Sequence, residues 1–215
     1  MDWSFCDKVF YIGLVAGILG VVIEGVFCVM KYHRWESHVT TVWGWYNIVY
    51  GLGATVLYAL SVKLNIPSLF WKIVVMTVIV TAVELGAGLV LKHWLGMKAW
   101  DYSNRPLNVA GLICPLFSLG WAAMSLGVCL VCDRLTAWLE PLTIPELHVF
   151  AAVMFAVLIV DFALAMICVF RWSRRHYGKP ALTVAGTIAD KYAPDEWISN
   201  RFIEWRFLDE KESMC

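Results

Sequence analysis

Five long apolar stretches, separated by short charged segments, dominate the chain: roughly Val9–Met30, Thr41–Val62, Leu69–Leu91, Asn108–Cys132 and Leu147–Phe170. A helix needs about 20 mostly apolar residues to cross the hydrocarbon core of a bilayer, and each stretch reaches that length. The pattern predicts an all-α, polytopic membrane helix bundle of about five transmembrane helices. No Asp, Glu, Lys or Arg interrupts the run from Ser37 to Val62 or the one from Pro106 to Cys132. The other three stretches each hold one acidic residue: Glu24, Glu84 or Asp161. Lys72, near one end of the third, is placed to snorkel out of the core.

Beyond the fifth stretch, Arg171, Arg174, Arg175 and Lys179 form a basic stop suited to anionic headgroups. The chain then turns polar. Pro194-Asp195-Glu196 has the form of a helix start, and Ile198, Phe202 and Trp205 follow at helical spacing. Residues 1–177 are thus expected to form a transmembrane helical domain, and 178–215 a cytoplasmic tail with a short amphipathic helix. That helix would lie on the membrane or dock against the helix ends; the alternative is a partner-binding helix.

Composition agrees with a membrane setting: 60% of residues are hydrophobic, 16% charged, and mean hydropathy is +0.69. Soluble domains carry roughly 25% charged residues. The formal net charge of zero offers nothing to a nucleic acid partner. The distribution of charge is more telling. Lys8, Lys63, Lys72 and Arg134 fall on one side of the predicted spans. Thirteen basic residues fall on the other, including Lys31, Arg34, Lys92, Lys98 and Arg105. Basic loops stay in the cytoplasm, so the N-terminus is expected outside and the C-terminus inside. Asp2 and Asp7 stand where a signal peptide would be basic. Without other targeting signals, a prokaryotic inner membrane is the expected location.

Ionisable residues at membrane depth cost roughly 2.5–3.5 kcal/mol each on insertion scales. Glu24, Glu84 and Asp161 are therefore functional candidates, with Asn47 and Ser118 as uncharged companions. At 1.5 Å per residue, Glu24 and Asn47 lie about 7 Å, Glu84 about 6 Å, Asp161 about 4 Å and Ser118 about 3 Å to the cytoplasmic side of their helix centres. That shared depth suggests a cytoplasm-facing polar pocket. Gly13, Gly17 and Gly20 on the first stretch, Gly51 on the second, and Ala82 and Gly86 beside Glu84 would let helices approach closely. Pro115, inside the predicted fourth helix, would free the Gly111 carbonyl and open space near Ser118. The competing reading is that the carboxyls are protonated and only join helices.

The histidines at 33, 38, 93, 148 and 176 lie near helix ends or in loops, and none shows a metal-binding spacing such as HExxH. No metal site and no cofactor are expected. Cys129 and Cys132 form a CxxC near the end of an apolar run, where cysteine usually packs as a small hydrophobe. The chain has no P-loop and no GxSxG.

The segment ELGAGLVLKHWLGMKAWDYSNRPLNVAGLICPLFSLGW, from Glu84 to Trp121, resembles the ABC-transporter type IV (CmpB-like) membrane family. Its order of an intramembrane Glu, Trp-Asp-Tyr-Ser, Asn, Gly-x-Ile-Cys and Ser-x-x-Trp carries the resemblance, which extends from about Gly17 to Leu130. The resemblance implies roles for Glu24, Glu84, Trp100, Asp101, Tyr102, Ser103, Asn108, Gly111, Cys114, Ser118 and Trp121. Family members often have a second acidic residue two turns after Glu84, where this chain has Lys92. In physical terms Asp101 or Ser103 could cap the fourth helix. The alternative is that the loop forms a lid over the polar groups.

The expected ligand-binding set is Glu24, Asn47, Glu84, Trp100, Asp101, Tyr102, Asn108, Ser118 and Asp161. The expected function is binding or transport of a small solute or lipid-like molecule, as a permease-type subunit. Its partners would be membrane lipids, a small-molecule or lipid substrate, and a partner subunit or second copy, but no nucleic acid. An intramembrane enzyme using a carboxylate on a lipid or isoprenoid, or a scaffold or regulatory subunit, are the alternatives.

Overall fold

The computed structural model describes residues 3–181 and 183–210; Met1, Asp2, Leu182 and the stretch 211–215 with Cys215 lie outside them. Among the described residues, four helices are long and apolar enough to cross a membrane. They are α1 (Trp3–Tyr32), α3 (Leu69–Val90, continued by a π-helical turn, Leu91–Leu95), α4 (Pro115–Leu139) and α5 (Pro145–His176). A fifth apolar helix, α2 (Ile48–Lys63), has 16 residues. At 1.5 Å per residue it covers about 24 Å, short of the roughly 30 Å hydrocarbon core. Helix α1 packs along α2, α2 against α4, α4 against α3, and α5 against α1.

Two predicted spans need correction. The second is helical only from Ile48; Ser37–Asn47 is not helical. This segment leaves the end of α1 and folds back along it, so that the Asn47 amide donates to the Gly17 carbonyl at 3.0 Å, midway along the helix. The chain thus re-enters the bundle before α2 begins. Asn47 caps α2, its side chain accepting from the Val49 amide at 2.9 Å. In the fourth span, the helix starts at Pro115 rather than Asn108. Proline is welcome in a first helical turn, where its missing N–H costs nothing. There is accordingly no proline kink, and the Gly111 carbonyl accepts from the Tyr102 amide instead.

The glycines of α1 work as expected, though mainly against aromatic rings rather than helix backbone. A Cβ on Gly17 would sit 2.1 Å from the Tyr46 ring, one on Gly20 2.4 Å from Tyr50, and one on Gly25 2.4 Å from Trp35. Gly13 of α1 and Gly51 of α2 bring their two helix backbones close. Gly86 meets nothing within 4 Å, so this glycine does not make a close helix contact beside Glu84.

The tail folds under the bundle. Helices α6 (Val184–Tyr192) and α7 (Asp195–Arg201) lead into β2 (Arg206–Phe207), which pairs antiparallel with β1 (Met97–Lys98) from the α3–α4 connection. Ile198, Phe202, Trp205 and Phe207 are buried against Leu95, Met97, Ala165, Val169 and Trp172. This is the docked form of the tail, with the apolar positions at 198, 202 and 205 facing in. Arg171 of the basic stop is buried and bidentate to Asp190 of α6, at 2.9 and 2.8 Å. At the opposite face, Asp7 pairs with His148 at 2.8 Å, and Lys8 with Glu140.

Candidate functional site

The intramembrane acids have three different surroundings. Asp161, on α5, is 3% exposed and accepts from the backbone amides of Val42 (2.7 Å), Trp43 (3.0 Å) and Gly44 (3.0 Å). On the carbonyl side of the same turn, Arg201 of α7 donates to Thr41 (3.0 Å) and Gly44 (2.6 Å). Burial lowers the Arg201 pKa, with Asp161 opposing the shift. Non-helical backbone is tolerated at membrane depth only where protein or water satisfies it, and this acid–base clamp does so for Thr41–Gly44. Asp161 is thereby occupied by the backbone. Asn47 is likewise committed, donating to the His38 carbonyl at 2.7 Å.

Glu84, on α3, accepts from Trp121 Nε1 of α4 at 2.8 Å and from the Tyr102 hydroxyl at 3.2 Å. Tyr102 stacks on Phe117, with centroids 4.2 Å apart. Ser118 accepts from Thr81 at 3.4 Å, joining α3 to α4. Trp100 Nε1 donates to the Leu112 carbonyl at 2.9 Å. Asn108 holds the loop together, donating to the Arg105 carbonyl at 2.8 Å and accepting from the Gly111 amide at 3.0 Å. Gly111 has φ +75°, and a Cβ there would meet Ser103 Oγ at 2.6 Å. The Trp-Asp-Tyr-Ser loop therefore folds over Glu84 and does not cap α4, whose N-cap Cys114 makes no side-chain hydrogen bond.

Asp101 anchors that loop through Lys98 Nζ at 2.6 Å and the Ser103 amide at 2.8 Å. Burial alone would raise its pKa, but the bonds from Lys98 and Ser103 outweigh it and hold the carboxyl at about 2, against 3.8 unperturbed. A carboxyl depressed in the fold stabilises above its unfolded pKa, and this contribution disappears as pH falls through the folded value. Asp101→Asn is expected to lower the melting temperature at pH 7. The gap from wild type should close between about pH 4 and pH 2; a gap independent of pH in thermal melts would contradict this role.

Glu24 of α1 faces the re-entrant segment. It accepts from the Tyr50 hydroxyl of α2, and its other oxygen lies 4.0 Å from His38 Nδ1. His38 Nδ1 is 2.6 Å from Glu204 of the tail, and its Nε2 is 3.5 Å from Glu36. Burial works against the imidazolium, but the three carboxylates outweigh it and raise the His38 pKa above its usual range. Beneath Glu24 lies a cavity of about 180 Å³, walled by Cys28, Arg34, Glu36, His38, Ile203 and Arg206 among others. A second, mainly apolar crevice of about 450 Å³ lies between α3, α5 and α6, with Arg174 and Trp94 on its wall.

Of the predicted site residues, the structure brings Glu84, Tyr102 and, through their loop, Trp100, Asp101 and Asn108 together. Ser118 lies on the same helix pair. Glu24 lies across Tyr50 in its own cluster, and Asn47 and Asp161 serve the re-entrant backbone. Sequence reasoning passed over Cys28, Glu36, His38, Tyr50, Arg201 and Glu204. Glu24 and Cys28 are one turn apart, and Glu36 and His38 follow closely; that clustering was a local signal. The tail's contribution had none, because its partners lie more than 150 residues away in sequence. Cys129 and Cys132 pack as ordinary core groups, Cys129 Sγ being 3.6 Å from Met76 Sδ.

No curated protein and no solved structure matches the chain. A family model described as "Putative ABC-transporter type IV" matches residues 10–166, a span that runs from within α1 to within α5 and includes the re-entrant segment and the loop over Glu84. With four helices of membrane-crossing length and composition, the chain is an integral membrane protein, and it belongs to the "Putative ABC-transporter type IV" family.

Proposed function

We propose that the protein is a permease-type subunit that takes a small polar solute into the cavity beneath Glu24 from the face covered by the tail. The observation that carries this reading is the break in the second span. Irregular backbone at membrane depth is the usual setting of substrate sites in transporters, and here it adjoins an intramembrane carboxylate and a polar cavity. The volume of about 180 Å³ is below the 300–1,000 Å³ of drug-sized ligand pockets. It suits an ion or a solute of a few heavy atoms rather than a whole lipid. Glu24 would meet a cationic or hydrogen-donating group, and Arg206 an acidic one. A lipid-like ligand fits better in the apolar crevice beside Arg174, where a guanidinium would meet a headgroup phosphate.

The basic residues gathered on the tail face favour its being cytoplasmic. The chain carries no P-loop, so ATP-driven transport would need a partner subunit.

A thermal-shift panel tests the reading. Chelator-treated wild type and Glu24→Gln would be melted with small cations, amines, amino acids and oxyanions, each at millimolar concentration. A ligand at 100 times its Kd stabilises by about 2.7 kcal/mol. At least one class should raise the wild-type melting temperature and leave Glu24→Gln unmoved. A panel that shifts neither protein, or both equally, would count against the chamber.

A further inference from the structure

We propose that Cys28, Glu36 and His38 form a binding site for a divalent transition-metal ion of the zinc type, with one coordination position open to the cavity beneath Glu24. The inference rests on reading that cavity as a ligand chamber, but it concerns the wall rather than the solute. Among the described residues, these three bring one ligand atom each to within 4.8 Å of the others. Cys28 Sγ lies 3.4 Å from His38 Nε2 and 3.8 Å from Glu36 Oε2, and His38 Nε2 lies 3.5 Å from the same Glu36 oxygen. Tetrahedral zinc, with bonds near 2.3 Å to sulfur and 2.0–2.2 Å to nitrogen and oxygen, requires ligand-to-ligand edges of roughly 3.3–3.6 Å. The three distances match those edges with shifts of a few tenths of an ångström.

The surroundings support the same chemistry. Metal-binding histidines usually donate their second ring nitrogen to a carboxylate, which fixes the tautomer. Glu204 stands 2.6 Å from His38 Nδ1, so an N–H there would donate to Glu204 and leave the Nε2 lone pair directed at Cys28 and Glu36. Arg34 forms an ion pair with the other Glu36 oxygen at 2.5 Å, though without hydrogen-bond geometry. Cys28 is 2% exposed, and metal binding would release its thiol proton. Counting the thiolate, Glu24, Glu36, Glu204 and Cys28 supply four negative charges against the two guanidiniums of Arg34 and Arg206. A divalent cation balances them. Three protein ligands with an open fourth position is the arrangement of sites that bind a further ligand, not of closed structural ones. The metal would join α1 to the re-entrant segment and, through Glu204, to the tail.

Cobalt(II) titration of the full-length, chelator-treated protein tests this. Wild type should take up one ion per chain at this site, with a thiolate-to-cobalt charge-transfer band and tetrahedral visible bands, all removed by added zinc. Cys28→Ser should lose the charge-transfer band, whereas Cys132→Ser, a change at another buried cysteine, should keep it. Glu204→Gln should weaken binding by about 10–100-fold. As Cys28→Ser could misfold, zinc protection of Cys28 against maleimide, mapped by peptide mass, reads the same site in wild type. No thiolate band, a band that survives Cys28→Ser, or alkylation of Cys28 indifferent to zinc would overturn the proposal. The thermal-shift panel above starts from chelator-treated protein, and its amine, amino-acid and oxyanion arms add no metal, so loss of metal binding and loss of solute binding are separate results.

Discussion

Replacing Asp161 with alanine is expected to be among the most damaging single changes in the protein. Three backbone amides, those of Val42, Trp43 and Gly44, lose their acceptor together. Arg201, half-buried beneath the same turn, loses the acid that offsets its desolvation. Removing one partner of such a buried set costs roughly 3–5 kcal/mol. Asparagine should be intermediate: its Oδ1 can still accept from Val42 and Trp43, but an amide NH2 would face the Gly44 N–H. The order wild type, Asn, Ala in melting temperature, with Thr41–Gly44 becoming accessible to hydrogen exchange, is the expected result. If Asp161→Ala melts like wild type, the carboxylate does not hold the re-entrant turn.

The second large effect is expected at Gly17. Even a Cβ there would lie 2.1 Å from the Tyr46 ring, and the Gly17 carbonyl receives the Asn47 amide that starts α2. Leucine at this position must drive the re-entrant segment off α1, at a cost of about 1–3 kcal/mol or more. Gly86→Leu is the matched control, since nothing lies within 4 Å of a Cβ there, and changes at such sites usually stay within about 0.5 kcal/mol. Thermal melts of the two variants should differ clearly. Equal destabilisation would mean that the α1 glycines have no special role in seating the segment.

The contrast between these two glycines shows what could be read from the sequence. Periodicity placed the spans, the α1 glycine face and the apolar positions of the tail, because each depends on local spacing and on the length a bilayer imposes. The break at Thr41–Asn47 was hidden because its residues, Thr-Val-Trp-Gly-Trp-Tyr-Asn, carry no charge and run straight into the apolar residues of α2. What stops the helix there is a distant acid on α5 and an arginine from the tail, neither visible in a local window. Pro115 was misread for a related reason. The apolar run continues upstream to Asn108, so hydropathy could not separate a proline inside a helix from one in its first turn.

The candidate site was legible in part. Glu24 and Glu84 stood out because a carboxyl at membrane depth is costly, and the family resemblance pointed to Tyr102 and Trp121, the two donors to Glu84. Equal depth did not mean a common cavity. Depth along a helix says nothing about which way a side chain faces, and Asp161 turned out to serve backbone amides. The cluster of Cys28, Glu36, His38 and Glu204 depends on a chain reversal and a docked tail, which no spacing rule anticipates.

The central claim is that Glu24 forms part of a ligand chamber and is more than a link between helices. Native mass spectrometry of gently purified, chelator-treated protein, wild type beside Glu24→Gln, tests it most directly. A discrete small mass retained by wild type and lost from a folded Glu24→Gln is the predicted result. No retained molecule in either, with Glu24→Gln merely less stable, would contradict it and leave the carboxylate as a bond between α1 and α2.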